Sequence, residues 1–464
     1  MDDSVLRDVN ENPCHMCMPM GGILALKGIQ ETMVVLHGSQ GCSTYMRRHI
    51  AEHFNEPIDV ASSSLNEKGT IYGGEKNLKQ ALDNVRRVYD PALIGILTTC
   101  LAETIGEDVE RFAQEYSADH PGLPLQLVTA ATPGYGGSHD EGYFFTLRRI
   151  VATLAQTTPP HQRLNLIIPN ISAADIREIK SILARLNIAA TLCPDLSETL
   201  DRPYDPQYTK LPAGGTPLAA IRAMGGAPAT IQFGVTVADA LSPGRYLEET
   251  FGVPLYNLPL PIGLKNTDLF IDTLHRITGQ PVPDSFNEER GRLLDAMVDS
   301  HKYNFQGRCA IFGDAELVAA VTDTCCENGL HPAVVATGGR NPLLAARLAP
   351  VLTDAHSGAQ VLDTADFVTI REQSQAAGVN LAIGPSDGRY LTEKAGIPLV
   401  RLGFPILDRM GGQRLLSIGY TGTAMLLDRL TNTLLEHKHK VYRHTMYERF
   451  YPDPERRQNL KLAR

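Results

Sequence analysis

Short apolar runs recur along this 464-residue chain, and amphipathic stretches of helical period separate them. That alternation constrains the fold more than any other feature. The runs "LIGILTTC", "RLNLIIPN", "PATIQFG", "GRCAIFGD", "PAVVATGG", "VNLAIGPS" and "IPLVRLGF" read as buried strands. The first unit opens with "GGILALKGIQETMVVLHG", a helix and then a strand. "EKNLKQALDNVRRVY", "SAADIREIKSILARLNI" and "AELVAAVTDTCCENGL" read as helices. In the second of these, Ile176, Ile179, Ile182, Leu183 and Leu186 share one stripe, with Ser172 placed to cap it. Gly329 is the stop signal of the third. Alternating β and α units imply an α/β fold of doubly wound parallel sheets. Ligands then gather beyond the carboxyl ends of the strands.

Two Pro-rich or polar stretches, "QTTPPHQ" and "GQPVPDSF", divide the chain. The expected units are 1–158, 159–284 and 285–436, with a helix within 281–306 bridging the last two. Residues 437–464 form a tail with eight Lys and Arg against three Asp and Glu. Tyr442, Tyr447, Phe450 and Tyr451 interleave with those charges, so the tail is expected to dock on a partner chain. The net charge of −9 gives no reason to expect nucleic acid as a partner. No apolar run approaches the length of a membrane span. The acidic, polar start "MDDSVLRDVNENP" is unlike a signal peptide. A cytoplasmic, reducing location follows as the expectation, and the eight cysteines then read as core thiols or metal ligands.

Cys14 and Cys17 form a C-x-x-C pair. A zinc ribbon needs a second pair at similar spacing, and the adjacent Cys325 and Cys326 do not supply one. A thioredoxin-type motif follows a strand, and nothing before Cys14 reads as one. Haem attachment needs His after the second Cys, where this chain has Met18. Cys17, Cys42 and Cys100 are more distinctive. Cys17 precedes Gly21 and Gly22, Cys42 ends "HGSQGC", and Cys100 ends a strand-like run. Thiolates on Gly-rich turns and at a strand end suit an iron–sulfur cluster, whose charge is tuned by hydrogen bonds to its sulfurs. Ordinary buried thiols are the other reading, and the residues alone leave both open. Cys193 and Cys309 sit in or beside strands and read as core.

Longer stretches carry a resemblance. "CMPMGGILALKGIQETMVVLHGSQGC", "TTCLAETIGEDV", "TPGYGGSHDEGY", "PLPIGLKNTDLFIDTL", "RGRLLDAMVDSH" and "GFPILDRMGGQRLLSIGYTGT" resemble the β-type branch of the nitrogenase component 1 superfamily. The resemblance implies three Rossmann-like domains in an α2β2 heterotetramer. It also implies that Cys17, Cys42 and Cys100 are ligands of an [8Fe-7S] P-cluster shared with the α-type partner, and that Cys14 is a bystander. A serine of the family's "TPSF"-like segment is replaced here by Gly134, which removes an oxygen ligand available to the oxidised cluster.

The α-type chain of such assemblies holds an active-site iron–sulfur cluster through one Cys and one His, and this chain offers no matching pair. No residue of this chain is therefore expected to be catalytic. The implied enzyme is an oxidoreductase subunit, active only with its α-type partner and a separate Fe-protein-like reductase that uses ATP. The middle and C-terminal motifs look like those of the cofactor-assembly scaffold chain, and a long N-terminal arm is missing. Yet the cysteine set is complete. That combination resembles the nitrogenase-like methylthio-alkane reductases, which release a thiol and a hydrocarbon. The alternatives are a scaffold chain for nitrogenase cofactor assembly and a nitrogenase β chain reducing dinitrogen.

Overall fold

The structure, a computed structural model, describes residues 14–207, 209–353 and 358–450. Its thirteen named strands form three sheets in sequence, every pairing parallel. β1 (Thr32–His37), β2 (Ala61–Ser62), β3 (Leu93–Thr98) and β4 (Gln126–Ala130) pair in the order β2-β1-β3-β4. β5 (Leu164–Ile167), β6 (Ala190–Cys193), β7 (Thr230–Phe233) and β8 (Leu255–Leu258) repeat that pattern as β6-β5-β7-β8. β9 (Arg308–Phe312), β10 (His331–Ala336), β11 (Gln360–Leu362), β12 (Leu381–Gly384) and β13 (Leu399–Arg401) pair as β11-β10-β9-β12-β13. The expected α/β class with doubly wound parallel sheets is what the chain adopts.

The inner strands explain themselves. β1, β3, β5 and β7 are buried at every position, as parallel strands covered on both faces must be. Each sheet also contains one switch point, where the chain winds first to one side and then to the other. These lie between β1 and β3, β5 and β7, and β9 and β12. Crevices for ligands open at such points.

Two helices set the geometry of the first unit. The helix Met18–Lys27 is buried at all ten positions, so it is a core element rather than an amphipathic cover. It packs on the helix His139–Leu154, whose N-terminus carries a full capping box from Ser138 and Glu141. Close approach requires glycine on both sides. A Cβ on Gly21 would collide with the His139 carbonyl, and one on Gly142 with the Met18 carbonyl.

The helix expected within 281–306 runs Asp284–Asn304, and it packs along the helix Gly419–Phe450. That last helix crosses residue 436 unbroken, so the described part of the basic tail, 437–450, continues it. Val441, Tyr442, Tyr447 and Phe450 are exposed there. Tyr451 and the remaining tail fall outside the described residues. No helix among the described residues is long and apolar enough to cross a membrane.

Candidate thiol site at the first switch point

Cys42 and Cys100 stand just beyond the carboxyl ends of β1 and β3, which flank the first switch point. Cys42 lies in the first turn of the helix Gln40–Phe54, and the Ser39 hydroxyl donates to its sulfur at 3.8 Å. Cys100 does not end a strand. It opens the five-residue helix Cys100–Thr104, two residues past β3. Cys17 arrives from another direction, as the N-cap of the helix Met18–Lys27. It is pinned by an antiparallel bridge to Ser138. Beside it the Met16 N–H donates to His139 Nδ1 at 3.1 Å, and the His139 N–H donates back to the Met16 carbonyl at 2.9 Å.

Gly134, in the loop after β4, brings the first and last of these thiols together. Its N–H donates to Cys100 Sγ at 3.1 Å. A Cβ here would lie 3.2 Å from Cys100 Sγ and 3.6 Å from Cys17 Sγ. A side chain at this position would thus be tight against the Cys100 sulfur and in ordinary contact with that of Cys17. Gly38 also makes the close approach its sequence suggests, against the Thr99 side chain, whereas Gly41 meets nothing nearer than Ser39 Oγ at 3.8 Å.

Cys17 and Cys100 are exposed and Cys42 is half-buried, which removes the reading of these three as buried core thiols. Although Cys17 reaches the surface, crowding by surrounding protein pushes its thiol pKa up, and the nearby Cys100 and Cys42 add to that. The Cys100 and Cys42 sulfurs lie close enough to Cys17 to act on its thiol, as sulfurs that share a multinuclear, positively charged acceptor would. No group of three His, Cys, Asp or Glu among the described residues gathers around a single ion. The thiols are spaced along a rim. An all-thiolate donor set with a backbone N–H aimed at one sulfur fits an iron–sulfur cluster. Tyr45, three residues after Cys42, and Tyr135, next to Gly134, are 45% and 67% exposed.

Cys14 is elsewhere. It is 6% exposed, packs in the core of the third sheet, and its N–H donates to the Ala365 carbonyl. Burial and then the Asp314 and Asp387 carboxylates push its thiol pKa far up, so it stays protonated. Cys193 and Cys309 are fully buried, as expected of core thiols.

The other two switch points close on each other. Asn170, past β5, donates to Asp314 Oδ2 past β9 at 3.3 Å. The Thr236 N–H and hydroxyl, past β7, both donate to Glu316 Oε1, at 2.5 and 2.6 Å. His139 Nε2 lies 2.8 Å from Asp314 Oδ1. A cavity here, lined by His53, Asn170, Asp175 and Phe404 among others, holds about 20 Å³. That is room for about one water.

The residues under the rim were missed by sequence reasoning. His37, Ser63 and Glu107 are hydrogen-bonded together beneath the Cys42 turn. A buried histidine closing an otherwise apolar strand was the available signal.

Fold and site define a class: three-unit α/β proteins of parallel sheets that present thiols at one switch point and seal the others. The chain belongs to the nitrogenase component 1 type oxidoreductase family, whose model matches residues 17–435, and it is of the β-chain type. It is 35% identical over 440 residues to the nitrogenase molybdenum-iron protein beta chain of Methanothermobacter marburgensis, covering 92% of this chain and 95% of that one. It is 33% identical over 443 residues to the nitrogenase vanadium-iron protein beta chain of Trichormus variabilis, with the same coverage. A solved structure titled "Nitrogenase Cp1 at pH 6.5" superposes with a TM-score of 0.89 at 33% identity, over 94% of this chain and 95% of that one.

Proposed function

We propose that this chain is the β-type, electron-relaying subunit of a nitrogenase-like reductase, with Cys17, Cys42 and Cys100 as its share of the ligands to a bridging [8Fe-7S] cluster. The observation that carries this reading is the set of three thiols at the first switch point, two exposed and one half-buried, with the Gly134 N–H donated to one of the sulfurs. When bound, such a cluster passes single electrons from an ATP-dependent reductase toward the active-site cluster of the α-type partner. This chain's residues hold the thiols in register and donate the Gly134 N–H to the Cys100 sulfur. Three thiols open to one side leave the remaining ligands to a partner, which fits an α2β2 assembly. A reducing cytoplasm keeps such thiols free. Catalysis belongs to the partner in this reading, because the second and third switch points close on each other through hydrogen bonds and the cavity between them holds about 20 Å³.

For the substrate, the reading is a methylthio-alkane, cleaved reductively to a thiol and a hydrocarbon. Its support is the joining of scaffold-like middle and C-terminal motifs to a complete cysteine set, together with Gly134 in the serine position. Dinitrogen is the second reading, favoured by the names of the relatives. The test is to purify the chain with its α-type partner anaerobically and supply reductase and ATP. Thiol and hydrocarbon release from a methylthio-alkane, without ammonia from dinitrogen, is the expected result. Ammonia production with no thiol release would assign the chain to nitrogen fixation, and activity of the lone chain would refute the division of labour.

A further inference from the structure

The cysteine rim has few hydrogen bonds of its own, so its geometry must be imposed from beneath. We propose that Glu107, His37 and Ser63 form a buried relay that sets Cys42 against Cys100, making all three positioning residues for the thiol site. This rests on the reading above that the thiols hold a cluster.

His37 ends β1 and is fully buried. Its Nδ1 lies 2.9 Å from Ser63 Oγ and its Nε2 3.2 Å from Glu107 Oε2. The hydrogen bonds around it fix its tautomer. The Gly38 N–H donates to Ser63 Oγ at 3.0 Å, which leaves the Ser63 hydroxyl proton for His37 Nδ1. His37 Nε2 then carries the ring proton and donates it to Glu107. The other Glu107 oxygen accepts the Gly74 N–H at 2.8 Å. Every donor and acceptor of the chain is used with the imidazole neutral. Burial also lowers the His37 pKa, against the opposing pull of Glu107.

The relay joins the segments that carry the thiols. Gly38 begins the turn that leads to Cys42. Glu107 lies in the loop that leaves the Cys100 helix, whose Ala102 carbonyl accepts the Glu107 N–H at 3.1 Å. The His37 carbonyl also accepts the Thr99 N–H at 3.1 Å, one residue before Cys100. Ser63 opens the loop after β2. A fully satisfied buried polar network admits one arrangement, where an apolar filling admits several. Outer-shell partners of this kind typically control metal affinity by about 10–100-fold.

The experiment uses the chain co-purified anaerobically with its α-type partner, as wild type, Glu107→Gln, Ser63→Ala and His37→Gln. Three quantities are read: iron per folded complex, the cluster's midpoint potential by redox titration, and the melting temperature. Expected are a shifted potential and at least about a tenfold weaker hold on iron under chelator challenge. Glu107→Asp, which keeps the carboxylate, should recover part of both. Unchanged potential and iron retention in all three variants would overturn the relay. So would iron lost only in proportion to unfolded protein, with a wild-type potential in the remainder. Wild-type complex without iron would instead remove the cluster reading itself, and this proposal with it.

Discussion

At the scale of single residues, the four N-terminal cysteines of this chain are not equivalent. Cys17 and Cys100 are exposed and Cys42 is half-buried, on three different turns, whereas Cys14 is a protonated thiol in the core of the third unit. Replacing any one of the three rim cysteines by Ala should strip or convert the cluster while leaving the fold in place, because Cys17 and Cys100 are exposed and Cys42 is only partly packed against the core. Cys14→Ala should leave the cluster spectrum intact and cost about 1 kcal/mol of stability, the range for deleting one buried heavy atom. Iron analysis and unfolding of the four variants would decide this. A full cluster signal in Cys42→Ala, or equal iron loss from Cys14→Ala, would sink the assignment. The C-x-x-C spacing alone could not separate Cys14 from Cys17, since it says nothing about which residue turns inward. What separates them is the third unit, far away in sequence, whose Ala365 carbonyl accepts the Cys14 N–H.

At the scale of elements, the closest packing is between the helices Met18–Lys27 and His139–Leu154. Gly21 faces backbone on the opposite helix, and backbone cannot swing aside as a side chain can. Gly21→Ala should therefore cost upward of about 3 kcal/mol, at the high end for overpacking, and displace Cys17 with the helix it caps. Gly106→Ala, which meets nothing within 4 Å but sits at a positive φ of 79°, should cost only about 1 kcal/mol. Thermal unfolding of the pair checks the ranking, and a milder effect at Gly21 would refute the packing argument. The sequence made the inner strands readable, because burial on both faces makes them continuous apolar runs. β1, β3, β5, β7, β9, β10 and β12 were all legible. Most edge strands were not: β2 has two residues, and β4, β6, β8 and β11 mix polar with apolar positions. The helix capped by Ser172 was legible in full, since its stripe and its cap are both local; the Ser172 hydroxyl accepts the Asp175 N–H. The relay under Cys42 was invisible because its three members come from three segments.

At the scale of the whole molecule, the sealed switch points gather ionisable groups where the three units meet. Burial, then the Asp314 carboxylate, pushes Asp140 up to about 8, and burial pushes Glu316 up to about 7. A carboxyl raised in the folded state keeps a proton that the unfolded chain releases near pH 4. Its contribution to stability is therefore complete below pH 4 and is lost as pH rises through the folded value. His53, held down to about 4 by burial, acts in the opposite sense and costs stability as pH falls below 6.5. The melting temperature should thus rise as pH is lowered from about 8.5 to 6.5. Asp140→Asn, which imitates the protonated acid, should flatten that slope; a flat wild-type profile would contradict the account. The strap through Cys14, Met16 and Cys17 has a consequence in time. Synthesis delivers these residues first, and domains fold as they emerge. But the Cys14 N–H is held by Ala365, and the Met16 N–H by a histidine lodged against Asp314. The first cysteine made is fastened only after the last unit has formed. The backing of the segment that leads into Cys17 is in that way completed only when the third unit has been made.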